Sequence, residues 1–349
     1  MREARGTIAV IGAGSWGTAL SMMLADAGWR VRLWARQSET AEAIQRDRRN
    51  PRYLSAFTLP DPVTATSDLA EAVAGAGMVV LAVPSEGISE TCRRLAACLV
   101  PAQGVVSTAK GLEHGTGRRL SEVVAAALPG SRLAVLSGPN LAPEVAAGIA
   151  TASVAACESA PFAAEVQATF STPRFRVYTN QDVLGVELGG ALKNIIAIGA
   201  GVSDGLGSGE NTKAALMTRS LAEITRLGVA LGARTETFRG LSGMGDLIAT
   251  CAGQKSRNHF VGHALAQGRP LPDILAEMRG QVAEGVETTR AARQLSQQTG
   301  VELPIAAAVY AILFEGVAPR EAVQGLMTRA WRMSWRGRKG GLRGDGWGL

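Results

Sequence analysis

Apolar positions follow one pattern in the first half of the chain and another in the second. From residue 7 to about 180, short β-branched or aliphatic runs alternate with stretches of helical spacing. Residues 7–11 (TIAVI) predict a strand that ends in GAGSWG; residues 18–27 read as a helix closing at Gly28, and 31–35 as a second strand. Further buried-strand candidates lie at 78–83, 105–108 and 133–136, with helical stretches such as 88–98 and 118–127 between them. Alternation of this kind predicts a doubly wound, mostly parallel sheet with helices on both faces.

From about residue 182 the strand signals stop and long helical segments take over, with turns expected at 201–209, 239–245 and 268–272. The expected organisation is therefore an α/β domain over 1–180 and an all-α second domain over 181–336. A basic tail, 337–349, lacks apolar periodicity and is expected to be flexible. No repeat of solenoid period is visible. With 349 residues the chain is long enough for two domains of ordinary size.

Composition excludes some function classes. Hydrophobic residues make up 46% and charged residues 19%, which does not fit a disordered or coiled-coil chain. The net charge of +6 would suggest a nucleic-acid or membrane-surface partner if it were spread over the chain. It is not spread: residues 329–349 hold Arg329, Arg332, Arg336, Arg338, Lys339 and Arg343 against Asp345 alone, so the body is nearly neutral. Cys92, Cys98, Cys157 and Cys251 form no CxxC pair, as expected of reduced thiols in a cytoplasmic protein. The uncharged run 6–25 is broken by glycines and does not read as a signal peptide or membrane span.

GAGSWG fits GxGxxG, follows a predicted strand and opens a predicted helix, giving a Rossmann-like dinucleotide site. Gly12 serves the tight turn, Gly14 the close approach of backbone to a pyrophosphate, and Gly17 the packing of helix on strand. The helix N-terminus offers free N–H groups to phosphate. A carboxylate at the end of the second strand would bond the ribose 2′-hydroxyl of NAD. Arg36 stands there instead, so NADP or NAD is expected, with NADP preferred.

Lysine is scarce: five in the chain against 31 arginines. Lys193 lies in a segment, VLGVELGGALKNIIAIGAG, apolar enough to be a buried helix whose only polar side chains are Glu187, Lys193 and Asn194. A buried lysine is either one half of a structural ion pair or a general acid/base with a lowered pKa. Gly189 and Gly190, one turn earlier, would leave a groove for substrate beneath it. Three further segments read as site loops: STAKG with Lys110, SGPN with Gly138 and Asn140, and GLSGMGDLIATC, which puts Asp246 and Thr250 on one helical face. Ser256, Arg257 and Asn258 then supply donors suited to phosphate.

Taken together, GAGSWG, LAVPS, STAKGLE, SGPN, GGALKNIIAIGAG, GLSGMGDLIATC, SRN and VAEGV resemble the bacterial NAD(P)-dependent glycerol-3-phosphate dehydrogenases as far as about Arg332. The resemblance implies reduction of dihydroxyacetone phosphate to sn-glycerol 3-phosphate, feeding glycerophospholipid synthesis in the cytoplasm. It implies Lys193 as acid/base, Lys110 touching substrate and cofactor, and Asp246 holding the substrate and orienting the lysine. Ser256, Arg257 and Asn258 would clamp the substrate phosphate, with Arg257 also reaching the cofactor. Ser15, Trp16, Arg36, Ala142, Val282 and Glu284 would line the nucleotide, and Gly138, Asn140 and Thr250 the substrate. Asn140 departs from the family's usual Ser or Thr, and Lys255 and His259 depart from its commoner Leu and Arg.

Two other readings use some of the same residues. A β-hydroxyacid dehydrogenase of the 6-phosphogluconate type would share a lysine on a long helix, though not GMGDL followed by SRN. A non-catalytic NAD(P)-binding sensor would keep GAGSWG and lose Lys193 or Asp246. His259 and His263, spaced i, i+4, lack a third ligand nearby, so no metal is expected. Met22 and Met23 read as core, and Trp331 and Trp335 as a last packed turn before the tail. A helical second domain is compatible with a homodimer; no nucleic acid and no membrane span are expected.

Overall fold

A computed structural model describes residues 5–100, 102–253, 256–278 and 281–328. Eight strands form one sheet: β1 (Thr7–Ile11), β2 (Arg30–Trp34), β3 (Val63–Thr66), β4 (Met78–Leu81), β5 (Gly104–Ser107), β6 (Arg132–Ser137), β7 (Thr151–Ala156) and β8 (Phe175–Asn180). Their order is β3-β2-β1-β4-β5-β6-β7-β8. Every neighbouring pair is parallel except β6 and β7. The central strands are apolar on both faces because helices cover both. Those helices are α1 (Ser15–Asp26), α2 (Ser38–Asp47), α3 (Leu69–Val73), α4 (Ser85–Leu95), α5 (Leu120–Ala127), α6 (Ala142–Ala146) and α7 (Ala160–Phe170). The strand order reverses direction between β1 and β4, which makes their carboxyl ends the crevice where such sheets bind ligands. GAGSWG follows β1 and LAVPS includes the end of β4.

The second half is helical: α8 (Val183–Gly205), α9 (Gly209–Ala230), α10 (Thr235–Arg239), a π-helical turn (Leu241–Gly245), α11 (Asp246–Ala252), α12 (Arg257–Ala266), α13 (Leu271–Glu277), α14 (Glu284–Thr299), α15 (Pro304–Phe314) and α16 (Pro319–Met327). α8 is long and apolar enough to cross a membrane, yet most of it is buried as the central helix of this half. Asp182 caps it, accepting from the Gly185 N–H at 2.9 Å. Met22 and Met23 are core residues, as expected.

Three strands escape the sequence reading. β3 and β8 are sheet edges and carry polar residues (VTAT and FRVYTN), so neither shows the apolar run of a strand buried on both faces. β7 (TASVAA) is alanine-rich and of weak strand propensity. The turn expected at 201–209 begins later than its first residue, because α8 continues through Gly201 to Gly205. Those two glycines face α12: a Cβ at Gly201 would stand 2.0 Å from the His259 carbonyl, and one at Gly205 2.7 Å from the Ala266 Cβ. They mark a close helix crossing, and the break comes at Gly207 and Gly209, both with positive φ. The tail 337–349, with Trp331, Trp335 and Lys255, lies outside the described residues.

Candidate active site

The crevice has the form of a dinucleotide cradle. Gly12 turns at φ +120°, where a Cβ would stand 2.7 Å from the Ala82 carbonyl. At Gly17 a Cβ would meet the Gly12 carbonyl at 1.8 Å, so helix and turn can close only on glycine. Gly14 is different: the space beside it is open. Gly14 is also the N-cap of α1 and offers no side-chain cap, so the first-turn amides after it, beginning with Ser15, have no side chain to satisfy them. An open space ringed by unsatisfied N–H groups suits a pyrophosphate. Trp16 and Ala142, at the starts of α1 and α6, pack at the edge of the same core. Arg36 is exposed two residues beyond β2.

The second cluster forms where α8 passes the carboxyl ends of β5 and β6. Asp246, 1% exposed, opens α11 directly after the π-helical turn. One of its oxygens accepts from Lys193 and the other from Lys110 at 2.8 Å. Lys193 also donates to Thr250 Oγ1 at 2.7 Å, and Lys110 to the Gly138 carbonyl at 2.7 Å. Two ammonium groups from different halves of the chain therefore share one carboxylate. Burial pushes the Lys193 ammonium down to about 8; the neighbouring Lys110 charge acts in the same direction, and the Asp246 carboxylate opposes both.

The glycines beneath Lys193 do a different job from the one expected of them. They do not leave an empty groove. A Cβ at Gly189 would meet the Ser242 carbonyl at 2.6 Å, and one at Gly190 the Ser137 hydroxyl at 2.8 Å with the Lys110 stem beyond it. Gly189 thus seats the turn that carries Asp246, and Gly190 seats Lys110. The Ser137 hydroxyl, buried at the end of β6, has no hydrogen-bond partner among the described residues.

Around this centre the substrate-loop residues take unequal places. Asn258 donates to Asn194 Oδ1 at 3.0 Å and accepts the Gly285 N–H at 3.0 Å, while Asn194 donates to the Lys110 carbonyl at 3.3 Å. Ser256 caps α12, accepting from the His259 N–H at 3.3 Å, and Arg257 is exposed beside it. Asn140 is turned toward the sheet: its amide donates to the Ala152 carbonyl at 3.1 Å and accepts from Ser153 at 3.0 Å. Glu284 accepts from the Ser85 amide at 3.0 Å and from the Ser85 hydroxyl, tying α14 to the LAVPS loop. Burial holds the Glu284 carboxyl above the usual range. Val282 precedes it by two residues. His259 pairs with Asp204 at 2.8 Å and stacks on His263.

Asn194 and Ser85 are two contributors that sequence reasoning did not assign. Asn194 had a signal, as one of three polar side chains on an apolar helix, each of which has found a partner. Glu187 accepts from the Ser121 amide at 2.8 Å and ties α8 to α5. Ser85 had its place after a strand and at the end of LAVPS, without an assigned role.

Comparison with known proteins agrees in order and extent. Models of the NAD-dependent glycerol-3-phosphate dehydrogenase N-terminus and C-terminus match residues 7–163 and 182–324. Glycerol-3-phosphate dehydrogenase [NAD(P)+] of Nitratidesulfovibrio vulgaris is 51% identical over 327 residues, covering 93% of this chain and 99% of its own. That of Moorella thermoacetica is 51% identical over 324 residues, covering 93% and 96%. The crystal structure of glycerol-3-phosphate dehydrogenase from Coxiella burnetii superposes with a TM-score of 0.88 at 40% identity, covering 93% of this chain and 99% of that one. With both halves matched in order and half of the residues shared with bacterial relatives, the chain belongs to the NAD-dependent glycerol-3-phosphate dehydrogenase family.

Proposed function

We propose that this chain reduces dihydroxyacetone phosphate to sn-glycerol 3-phosphate, with Lys193 as the proton donor. The observation that carries the reading is the shared carboxylate: a buried lysine of lowered pKa, held by Asp246 and Thr250, with a second ammonium on the other carboxylate oxygen. When bound, the reduced nicotinamide supplies a hydride to C2 of the ketone. As the carbonyl oxygen gains charge, the Lys193 ammonium gives it a proton and is left neutral, a form its burial favours. In the reverse direction neutral Lys193 takes the hydroxyl proton. Lys110 keeps a positive charge beside the developing oxyanion, and Asp246 holds both lysines in register, so the field is in place before reaction. Arg257, with Ser256 and Asn258 alongside, supplies donors for the substrate phosphate. The Asn140 amide, engaged with β7, holds the SGPN loop against the sheet rather than reaching toward substrate.

The dinucleotide domain is assigned to 1–180, the helical catalytic domain to 181–336 and the tail to 337–349. Ser15, Trp16, Ala142, Val282 and Glu284 line the nucleotide together with the glycine turn. Either NAD or NADP is used, and Arg36 in place of an acid favours NADP. The product, a glycerol phosphate, suits glycerophospholipid synthesis in the cytoplasm.

The experiment is a pair of assays on purified protein. NADPH oxidation with dihydroxyacetone phosphate should be fast, and NADP reduction with 6-phosphogluconate absent. The opposite outcome would transfer the chain to the β-hydroxyacid reading. Arg257→Ala should raise KM for dihydroxyacetone phosphate about tenfold or more, because a charged donor to a dianion is lost; an unchanged KM would remove Arg257 from the clamp.

A further inference from the structure

The loop between α2 and β3 is bolted to the dinucleotide turn. Asn50, fully buried, donates to the Ala13 carbonyl and to Thr18 Oγ1, both at 2.9 Å, so one end of its amide grips GAGSWG and the helix behind it. The other end accepts the amides of Arg52 and Tyr53, each at 3.1 Å, folding the chain back into a tight turn. Arg52 therefore stands two residues from an anchor on the cofactor turn, and its guanidinium reaches the end of β2, donating to Gln37 Oε1 at 2.7 Å. Gln37 is the neighbour of Arg36 and the N-cap of α2, where it makes no side-chain cap bond.

We infer that Arg52 is the second arm of a 2′-phosphate clamp, closing on the adenosine ribose opposite Arg36; this rests on the NADP preference proposed above. A ribose 2′-hydroxyl looks for an acceptor at the end of β2. Here Gln37 Oε1 already accepts from Arg52, and the guanidinium groups of Arg36 and Arg52 are donors only. Among the described residues neither Arg36 nor Arg52 is paired with a carboxylate. Two guanidinium forks from separate loops suit a dianion that can accept bidentately from each. Because Asn50 fixes Arg52 to the same turn that receives the pyrophosphate, distance from pyrophosphate to clamp is set by the fold and not by a mobile side chain alone.

The test is binding rather than turnover. The whole protein, free of cofactor, is titrated with 2′,5′-ADP and with 5′-AMP in a calorimeter at fixed salt. Wild type should bind 2′,5′-ADP at least about tenfold more tightly than 5′-AMP. Arg52→Gln should weaken 2′,5′-ADP by about tenfold and leave 5′-AMP within a factor of two, and Arg52→Lys should recover part of the loss. If wild type binds both nucleotides equally, the NADP preference itself fails. If wild type discriminates and Arg36→Gln abolishes this while Arg52→Gln does not, the preference stands and the Arg52 inference is overturned. Equal weakening of both nucleotides by Arg52→Gln would also overturn it, by showing that the residue only supports the loop.

Discussion

Of the carboxylates buried in the helical half, Asp246 and Glu223 are treated by the fold in opposite ways. Asp246 is flanked by Lys193 and Lys110, one ammonium on each oxygen. Glu223, 5% exposed on α9, makes no ion pair among the described residues and accepts the Ile305 N–H at 3.0 Å, at the start of α15. In the first case burial falls on the cation, and Lys193 drops to about 8. In the second it falls on the acid, and the Glu223 carboxyl rises to about 7, because desolvation outweighs the Ile305 and Ala306 N–H groups and the charges of Arg226 and Arg219 together. Both groups titrate near neutrality. Only one adjoins the glycine turns and strand ends that receive ligands; the other caps a helix and lines an apolar groove between α9 and α15. A perturbed pKa thus marks a reactive group only where it adjoins the turns and strand ends that receive ligands.

The comparison breaks most sharply at Lys193. Lys193→Ala should lower kcat by about 10²–10⁴, the usual worth of a positioned proton donor, while the dissociation constant for NADPH stays within about threefold. Turnover within threefold of wild type would make Lys193 a structural partner of Asp246, no different in kind from Glu223. Asp246→Asn comes next: it leaves the buried Lys193 ammonium and the partly buried Lys110 ammonium around a neutral amide and should cost about 3–5 kcal/mol in urea unfolding, along with most activity. A variant of wild-type stability would mean that the lysines do not depend on the carboxylate.

Glu223→Gln should have the smallest effect and none on kcat. Its folded-state pKa lies above the unfolded value, so the folded protein holds a proton that the unfolded chain releases. Wild type should therefore lose stability relative to the glutamine variant as pH rises from about 4.5 to about 7, by on the order of 1–3 kcal/mol. Parallel stability curves would show that Glu223 is not desolvated as its environment implies.

The same contrast explains what could be read in the sequence. Gly12, Gly14 and Gly17 are legible because a local turn demands glycine at those spacings, and their neighbours in sequence are their neighbours in space. Lys193 is legible as an anomaly, a lone cation on an apolar helix; Asp246 and Lys110 are legible as site-loop residues, but only the family resemblance joins them to it, because tertiary packing brings them from 53 and 83 residues away. Gly189 and Gly190 read as a groove and prove to be seats, because sequence shows where a Cβ is missing and not which atoms fill the space. Asn50 and Glu223 give no signal of their kind at all. One is an ordinary loop asparagine until it bonds Ala13, and the other an ordinary helical acid until α15 begins on top of it.

The central claim is that Lys193 delivers the proton, and the pH dependence of kcat/KM for dihydroxyacetone phosphate at saturating NADPH, followed from about pH 7 to about pH 10, tests it most directly. Reduction needs the ammonium form, so the rate should fall as pH rises through about 8, and the reverse oxidation should rise through the same point. A reduction rate that stays level to pH 10, or that breaks only near the ordinary lysine value of 10.5, would contradict it.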